Sequence, residues 1–425
     1  MDVQPQADGS LWISRPDADA RFDVGNARCF AAFDGRGATR RVLFPEGLWG
    51  GSWSLRIELT GQAVEFQNAS GAGRLWRLQA EDERYTLALD SFLDSTSPAV
   101  YQRLSLRNRT GEGLGVRLTL RLDWSMPLPA ADRRWNALAG SVPHLPGLGS
   151  WWGKGLGKVA QAQTAKRMAP GLDERTISAT GAGLVWASDA PFEFSAEAPL
   201  AGQARFDLSV GAGEEFAVNW VLAMGAPEDT LAALARSAAA LQDAQDYATW
   251  LAGQHHEADP LLQSLYVSGL NAAMAMYKEF PGGFAGLLAG TDYAYPPRLY
   301  FRDSYWTAQA LLPARPDRVR THLLSLARGV HRDGTCPSGV FAPHIIAEQG
   351  IRAKNPLDWL PDHYDSPSYF ILLVSDYLRA TGDHELLRAL VPLPGGKGPE
   401  RSIWQIAQDC LRALIARDRD GDGLL

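Results

Sequence analysis

The sequence predicts a multidomain α and β protein: an N-terminal antiparallel β-sandwich, a linker helix, and then a barrel of paired helices whose loops gather at one end. Three observations carry this prediction. Up to about residue 225, short alternating apolar runs are separated by Gly, Asp, Asn and Pro; after Met224-Gly225-Ala226-Pro227 the apolar spacing becomes helical; beyond Asp259-Pro260, helical stretches alternate with long loops. A chain of 425 residues exceeds one typical domain, so the boundaries are expected at 1–226 for the sandwich, 227–258 for the linker helix and 259–425 for the helical domain.

Within the first region, Leu55-Arg56-Ile57-Glu58-Leu59, Tyr101–Leu106 and Val116–Leu122 each place apolar residues on one face and polar residues on the other. There are enough such runs for two packed sheets. Residues 125–172 interrupt them with Pro, Gly and Trp, including Trp135, Trp151 and Trp152. A loop of that length inside a compact domain is usually functional or disordered. The tryptophans fit the packing of an insertion, with a flat platform for a ligand ring as the alternative.

Residues 228–252 carry Leu231, Leu234, Ala235, Ala238 and Leu241 at helical spacing, which defines the linker helix. Asp259 followed by Pro260 is an N-cap with Pro at the first helical position, and Leu261, Leu262, Leu265, Val267, Leu270, Ala273 and Met274 supply a broadly apolar helix. Further helices are expected at Tyr305–Leu312, Asp317–His331, Ser366–Thr381, His384–Leu390 and Ile403–Arg417, with Gly334 and Gly382 as stops.

Composition narrows the partners. A formal net charge of −7 and a pI near 5.7 give no basic footprint for nucleic acid or an acidic membrane, so small neutral or polar molecules are expected. Cys29, Cys336 and Cys410 are far apart in sequence and read as buried thiols. No metal spacing and no cofactor motif is present, and His255-His256 stands alone. The N-terminus lacks a basic start with an apolar core, and no run has the length of a membrane span, which predicts a cytoplasmic protein.

Two stretches concentrate chemistry. Tyr300-Phe301-Arg302-Asp303-Ser304-Tyr305-Trp306 packs a guanidinium, a carboxylate and aromatic rings behind a Gly- and Pro-rich lead-in, so the Arg-Asp pair is expected on a loop that enters a helix. A fork of donors, two acceptor oxygens and aromatic faces meet the needs of a sugar. The same residues also fit an ion pair at a helix start with Ser304 as cap. The second stretch, 355–370, holds Asp358, Asp362 and Asp365 with His363, Trp359, Tyr364, Tyr369 and Phe370. Asp365 stands ahead of Ser366-Pro367, which suits a catalytic carboxylate and suits a helix cap as well.

Together these residues resemble the six-hairpin (α/α)6-barrel glycoside hydrolases, above all the glycogen-debranching amylo-α-1,6-glucosidase domains and the family 63 α-glucosidases. The resemblance rests on Ala289-Gly290 before Phe301-Arg302-Asp303-Ser304, on Asp365-Ser366-Pro367-Ser368-Tyr369-Phe370, and on Tyr377 followed by Thr381-Gly382-Asp383. It implies an (α/α)6 toroid after the sandwich and linker helix, and an inverting, exo-acting α-glycosidase acting on α-linked glucosides or oligosaccharides. It assigns Asp365 as general acid, with Asp362 the acid in a glucoamylase-like register. Arg302 and Asp303 would grip the non-reducing glucose, Tyr300, Trp306, Trp359 and Tyr364 would wall the pocket, and His363 would tune the acid.

In such a mechanism one carboxylic acid protonates the glycosidic oxygen while a second carboxylate activates water on the opposite face. The family's base is a Glu late in the barrel, and residues 255–425 hold about half of the helices a toroid requires, so the base is expected beyond Leu425 in a longer protein. Two other readings stand beside hydrolysis: a phosphorylase of the same architecture, and a non-catalytic carbohydrate-binding protein. The terminal Asp418-Arg419-Asp420-Gly421-Asp422 run fits either a turn or the first half of a calcium loop.

Overall fold

The computed structural model describes residues 2–6, 8–44, 49–124, 168–170, 175–179, 183–198, 200–254, 259–290, 298–343, 363–392 and 399–419. They form two compact units, Met1–Ala275 and Met276–Leu425.

The first unit contains two antiparallel sheets. In the ten-stranded sheet the order is Asp2–Pro5, Leu11–Ser14, Asn68–Ala72, Leu75–Glu81, Tyr85–Phe92, Ala99–Asn108, Glu215–Met224, Leu184–Ser188, Thr176–Ala179, Met168–Pro170. The eight-stranded sheet runs Glu193–Ala198, Ala201–Val210, Leu114–Asp123, Trp49–Leu59, Thr39–Phe44, Phe30–Asp34, Arg21–Gly25, with Gln62–Ala63 added beside Trp49–Leu59. Alternation sets the faces. Strand Leu114–Asp123 buries Leu114, Val116, Leu118, Leu120 and Leu122, and its register puts Leu118 opposite Ile57 on one side and Phe206 on the other. Each such side chain contributes ~1.5–3 kcal/mol when fully removed from water.

Polar contacts made by Trp53 and Trp76 cross between the sheets and help fix how they stack. Trp53 and Trp220 both donate their indole N–H to Oε1 of Gln102, at 2.6 and 2.8 Å, and Gln102 is 1% exposed. The Trp76 indole donates to the Asp34 carbonyl at 3.1 Å while its ring stacks on Phe22, centroids 5.2 Å apart.

The expected single linker helix is two: α1 (Pro227–Ala235) and α2 (Ser237–Ala252), broken at Arg236 with φ −96° and ψ 10°. At the break the Ser237 hydroxyl donates to the Leu234 carbonyl at 2.6 Å, a local side-chain bond that competes with the helical ladder. Ala233, Ala240 and Ala244 pack into one cluster with Phe92, Tyr101, Val221 and other residues of the ten-stranded sheet, so these helices cover that sheet. Helix α3 (Pro260–Met276) starts as expected, with Asp259 accepting from the Leu261 and Leu262 amides at 2.8 and 3.1 Å. Its apolar face is narrower than expected: Val267, Leu270, Ala273 and Met274 are buried, whereas Leu261, Leu262 and Leu265 are exposed. Asn271 ties α3 to the sandwich by donating to the Gly73 carbonyl at 3.1 Å and accepting from the Tyr247 hydroxyl at 3.2 Å. The first compact unit therefore reaches Ala275, past the boundaries expected at 226 and 258.

The second unit is built on α4 (Phe301–Leu311), α5 (Pro316–Ala327), α6 (Ser366–Thr381) and α7 (Ile403–Ile415), with α6 in contact with the other three. A hairpin of Tyr277–Phe280 and Phe284–Leu287 and a strand pair of Arg298–Tyr300 and Gly339–Phe341 complete its inner frame. The stretch expected as a helix at His384–Leu390 is a 3-10 turn, His384–Arg388. Among the described residues no helix is long and apolar enough to cross a membrane.

Candidate functional site

The site grows from the strand Arg298–Tyr300. Arg298 is buried, its guanidinium 4.8 Å from the Tyr300 ring centre and 5.0 Å from that of Phe341, and it donates to the Ser338 hydroxyl. The chain turns directly into α4, with Tyr300 as an extended N-cap residue that provides no side-chain cap. Arg302 and Asp303 therefore lie in the first helical turn, not on a preceding loop. Ser304 is not the cap either: its hydroxyl donates back to the Tyr300 carbonyl and faces His322.

His322 locks this turn from below. The Leu287 amide donates to Nδ1 at 3.3 Å, so Nε2 carries the proton and donates to the Ser304 hydroxyl oxygen at 2.8 Å. The ring is fully buried, and burial pushes its pKa down to about 3, which keeps it neutral. Gly286 makes room for it, since a Cβ there would lie 2.3 Å from Nδ1. Nothing in the sequence marked His322, because the pattern of α5 gives one buried His among apolar neighbours and no partner in sequence.

Asp365 occupies the N-cap position of α6, yet its side chain does not cap. Its Oδ2 accepts from Nη1 of Arg302 at 2.9 Å, and its Oδ1 lies 2.6 Å from Nδ1 of His363 without an aligned hydrogen bond. The Ser366 hydroxyl is 3.2 Å from the same ring nitrogen, and the His363 amide donates to the Cys336 carbonyl at 2.8 Å. Helices α4 and α6 run in the same direction: Phe301 meets Phe370 with centroids 6.3 Å apart, Tyr305 meets Tyr369 at 5.3 Å, and Gln309 reaches Asp376 at 3.1 Å. Their N-terminal ends thus lie side by side, and the exposed amides and partial positive charge of two helix starts favour the carboxylates Asp303 and Asp365 there.

The remaining expected residues surround that mouth unevenly. Asp303 is exposed, and among the described residues its carboxylate makes no hydrogen bond or ion pair; Arg302 pairs with Asp365 rather than with its neighbour. Trp306 is 63% exposed and sets its ring edge-on to Tyr305, 5.0 Å between centroids. Tyr364 is 79% exposed, with the Arg417 guanidinium 4.9 Å from its ring centre and bonded to its carbonyl at 2.7 Å. Tyr300 is half-buried under Arg298. Asp362 and Trp359 lie outside the described residues, as do Trp135, Trp151, Trp152, Asp420 and Asp422.

A polar cluster that sequence reasoning missed lies further along the same two helices. Asp376 accepts from Tyr305 at 2.9 Å and from Gln309 at 3.1 Å, and pairs with Arg379. Burial alone would raise the Asp376 pKa, but the bonds from Arg379, Tyr305 and Gln309 outweigh it and hold it below the usual value. The bond to Asp376, with burial, raises the Tyr305 pKa.

The third motif is structural. Tyr377 and Arg320 both donate to Oδ2 of Asp383, at 2.9 and 3.0 Å, and Gly382 ends α6 in the left-handed conformation at φ 67°. Among the described residues, no three His, Cys, Asp or Glu side chains gather as metal ligands.

The fold is thus a sandwich followed by a helical unit with carboxylate, guanidinium and aromatic side chains at its helix starts. That fold is shared with two carbohydrate-active enzymes of solved structure. A putative kojibiose phosphorylase from the human microbiome aligns over 91% of this chain with a TM-score of 0.56 at 9% identity. A bacterial glucoamylase in complex with acarbose aligns over 87% of it with a TM-score of 0.52 at 13% identity. The chain spans 58% and 56% of the lengths of these two proteins. No family model and no curated protein matches the sequence.

Proposed function

We propose that this chain carries the sugar-gripping and acid-bearing part of an inverting, exo-acting α-glycosidase site within a six-hairpin (α/α)6 glycosidase-like protein, with α-linked glucosides or oligosaccharides as substrates. One observation carries the reading: Asp365 stands where a helix cap would stand, but its oxygens lie against Arg302 and His363 instead of its own helix amides. Its backbone there is helical, at φ −92° and ψ −12°, rather than extended as in a capping Asp, which leaves the carboxylate to partners outside its own helix. The two solved enzymes of like fold, a phosphorylase and a glucoamylase by their titles, support the substrate class.

In the proposed cycle a terminal glucose enters between Arg302 and Asp303, with Trp306 and Tyr364 against its apolar face. A sugar hydroxyl takes donors of Arg302 and releases Asp365 from its ion pair. The freed carboxylate takes up a proton from solvent and gives it to the glycosidic oxygen as the bond to the anomeric carbon breaks, and water adds to that carbon from the opposite side. The second carboxylate, which would take the water's proton, is not assigned among the described residues.

The phosphorylase title favours one second reading, in which phosphate replaces water and a sugar 1-phosphate leaves. Incubation with α-linked glucobioses, with and without phosphate, separates the two. Glucose release that needs no phosphate supports hydrolysis, phosphate-dependent sugar phosphate supports phosphorolysis, and saturable binding without either product supports a carbohydrate-binding role.

A further inference from the structure

Cys336 and Cys410 are far apart in the chain, but their sulfurs lie 4.0 Å apart and both residues are 0% exposed. The backbones around them are held together independently of the sulfurs. Gly334, at φ +81°, sits so close to α7 that a Cβ would lie 1.9 Å from the Asp409 carbonyl oxygen, so only glycine permits the approach. Arg401 donates to the Val330 and His331 carbonyls at 2.5 and 3.0 Å and pairs with Asp409 at 2.7 Å, clamping the segment before Cys336 to the turn of α7 that carries Cys410. All three cysteines are thiols, and Cys29 belongs to the other compact unit.

We propose that Cys336 and Cys410 form a redox-active dithiol that closes to a disulfide within the second unit. The sulfurs are at van der Waals contact, and a bond at the usual ~2.05 Å requires an approach of about 2 Å on backbones already fixed together. With glutathione disulfide as oxidant, the thiolate of one cysteine attacks it and expels one glutathione thiolate. The second cysteine then displaces the other glutathione, so two thiols lose two protons and two electrons and one disulfide gains them as two glutathione thiols. With hydrogen peroxide, the first sulfur becomes a sulfenic acid and releases water, and the second sulfur displaces a second water. Because both sulfurs are fully buried, the oxidant reaches them only through local opening of the structure around them.

The segment's far end matters to the candidate site. The Cys336 carbonyl accepts from the amide of His363, the residue in contact with Asp365. Closure of the bond therefore fixes the backbone partner of His363 to α7. The inference concerns thiol chemistry and holds whether or not the site cleaves glycosides.

The test counts thiols on the intact, folded chain, purified under reducing conditions and then exposed to glutathione disulfide or hydrogen peroxide. The expected result is loss of two of three thiols, a mass lower by about 2 Da, and a Cys336–Cys410 cross-linked peptide, all reversed by dithiothreitol. Cys29→Ser should still lose two thiols, and Cys410→Ser should lose none to an intramolecular bond. The oxidised form should melt higher, since the cross-link closes a long loop in the unfolded chain. Three persisting thiols after prolonged oxidation, or glutathione adducts and sulfinic acid without the cross-link, would overturn the proposal. The wild-type result alone decides it if Cys410→Ser does not fold.

Discussion

Arg302 and Asp365 come from the first turns of two different helices, and their side chains meet at 2.9 Å with 53% and 35% of their surfaces exposed. A pair this exposed contributes only ~0.2–1 kcal/mol to stability and loses part of that in salt. Arg302→Leu and Asp303→Ala should therefore leave the melting temperature close to that of the wild type while weakening glucose or nojirimycin-type inhibitor binding in calorimetry. A large fall in melting temperature with unchanged affinity would show that these residues are structural.

If Asp365 is the general acid proposed, Asp365→Asn should lower turnover of an α-glucoside by roughly a hundred- to ten-thousand-fold, with binding nearly unchanged, because such a group acts in the transition state. Substrates with activated leaving groups should be hurt less. Proton NMR of the first product should show the β-anomer from an α-linked substrate. Full activity in Asp365→Asn with loss in Asp362→Asn would move the acid by three positions.

His322→Leu should cost ~2–4 kcal/mol in urea unfolding, since it leaves the Leu287 amide and the Ser304 hydroxyl without their partner inside the core.

The same residue sets a pH dependence. Its pKa is about 3 folded and ~6.5 unfolded, so the unfolded chain binds the extra proton between those values. The stability from neutral His322 is whole above pH 6.5 and falls as pH drops from 6.5 toward 3, at up to ~1.4 kcal/mol per pH unit. His322→Gln should flatten this slope between pH 6.5 and 5, and parallel pH profiles of the two proteins in chemical denaturation would refute the assignment.

Gln102→Leu should destabilise the sandwich by ~2–5 kcal/mol, because two buried indole N–H groups lose one shared acceptor. Gly382→Ala tests the other kind of constraint. There is open space for its Cβ, so the expected cost of about 1 kcal/mol comes from the left-handed backbone alone.

What the sequence determined by itself was periodic or local. Strand Leu114–Asp123 could be read from alternation because its two faces meet different solvents, and helix α6 could be bounded at both ends because Ser366-Pro367 and Gly382 are backbone signals that need no distant partner. The split at Arg236, the solvent-facing leucines of α3 and the start of α4 at Phe301 were not legible, since each depends on which surface the helix meets. Only tertiary structure decided the partners at the candidate site. Arg302 was adjacent to Asp303 in sequence, but neighbours on a helix diverge by about 100°, and the parallel packing of α4 on α6 delivered Asp365 instead. The same holds for His322 beneath Ser304 and for Cys336 against Cys410: such contacts join positions with no shared local pattern, so their energy is visible only once the chain has closed on itself.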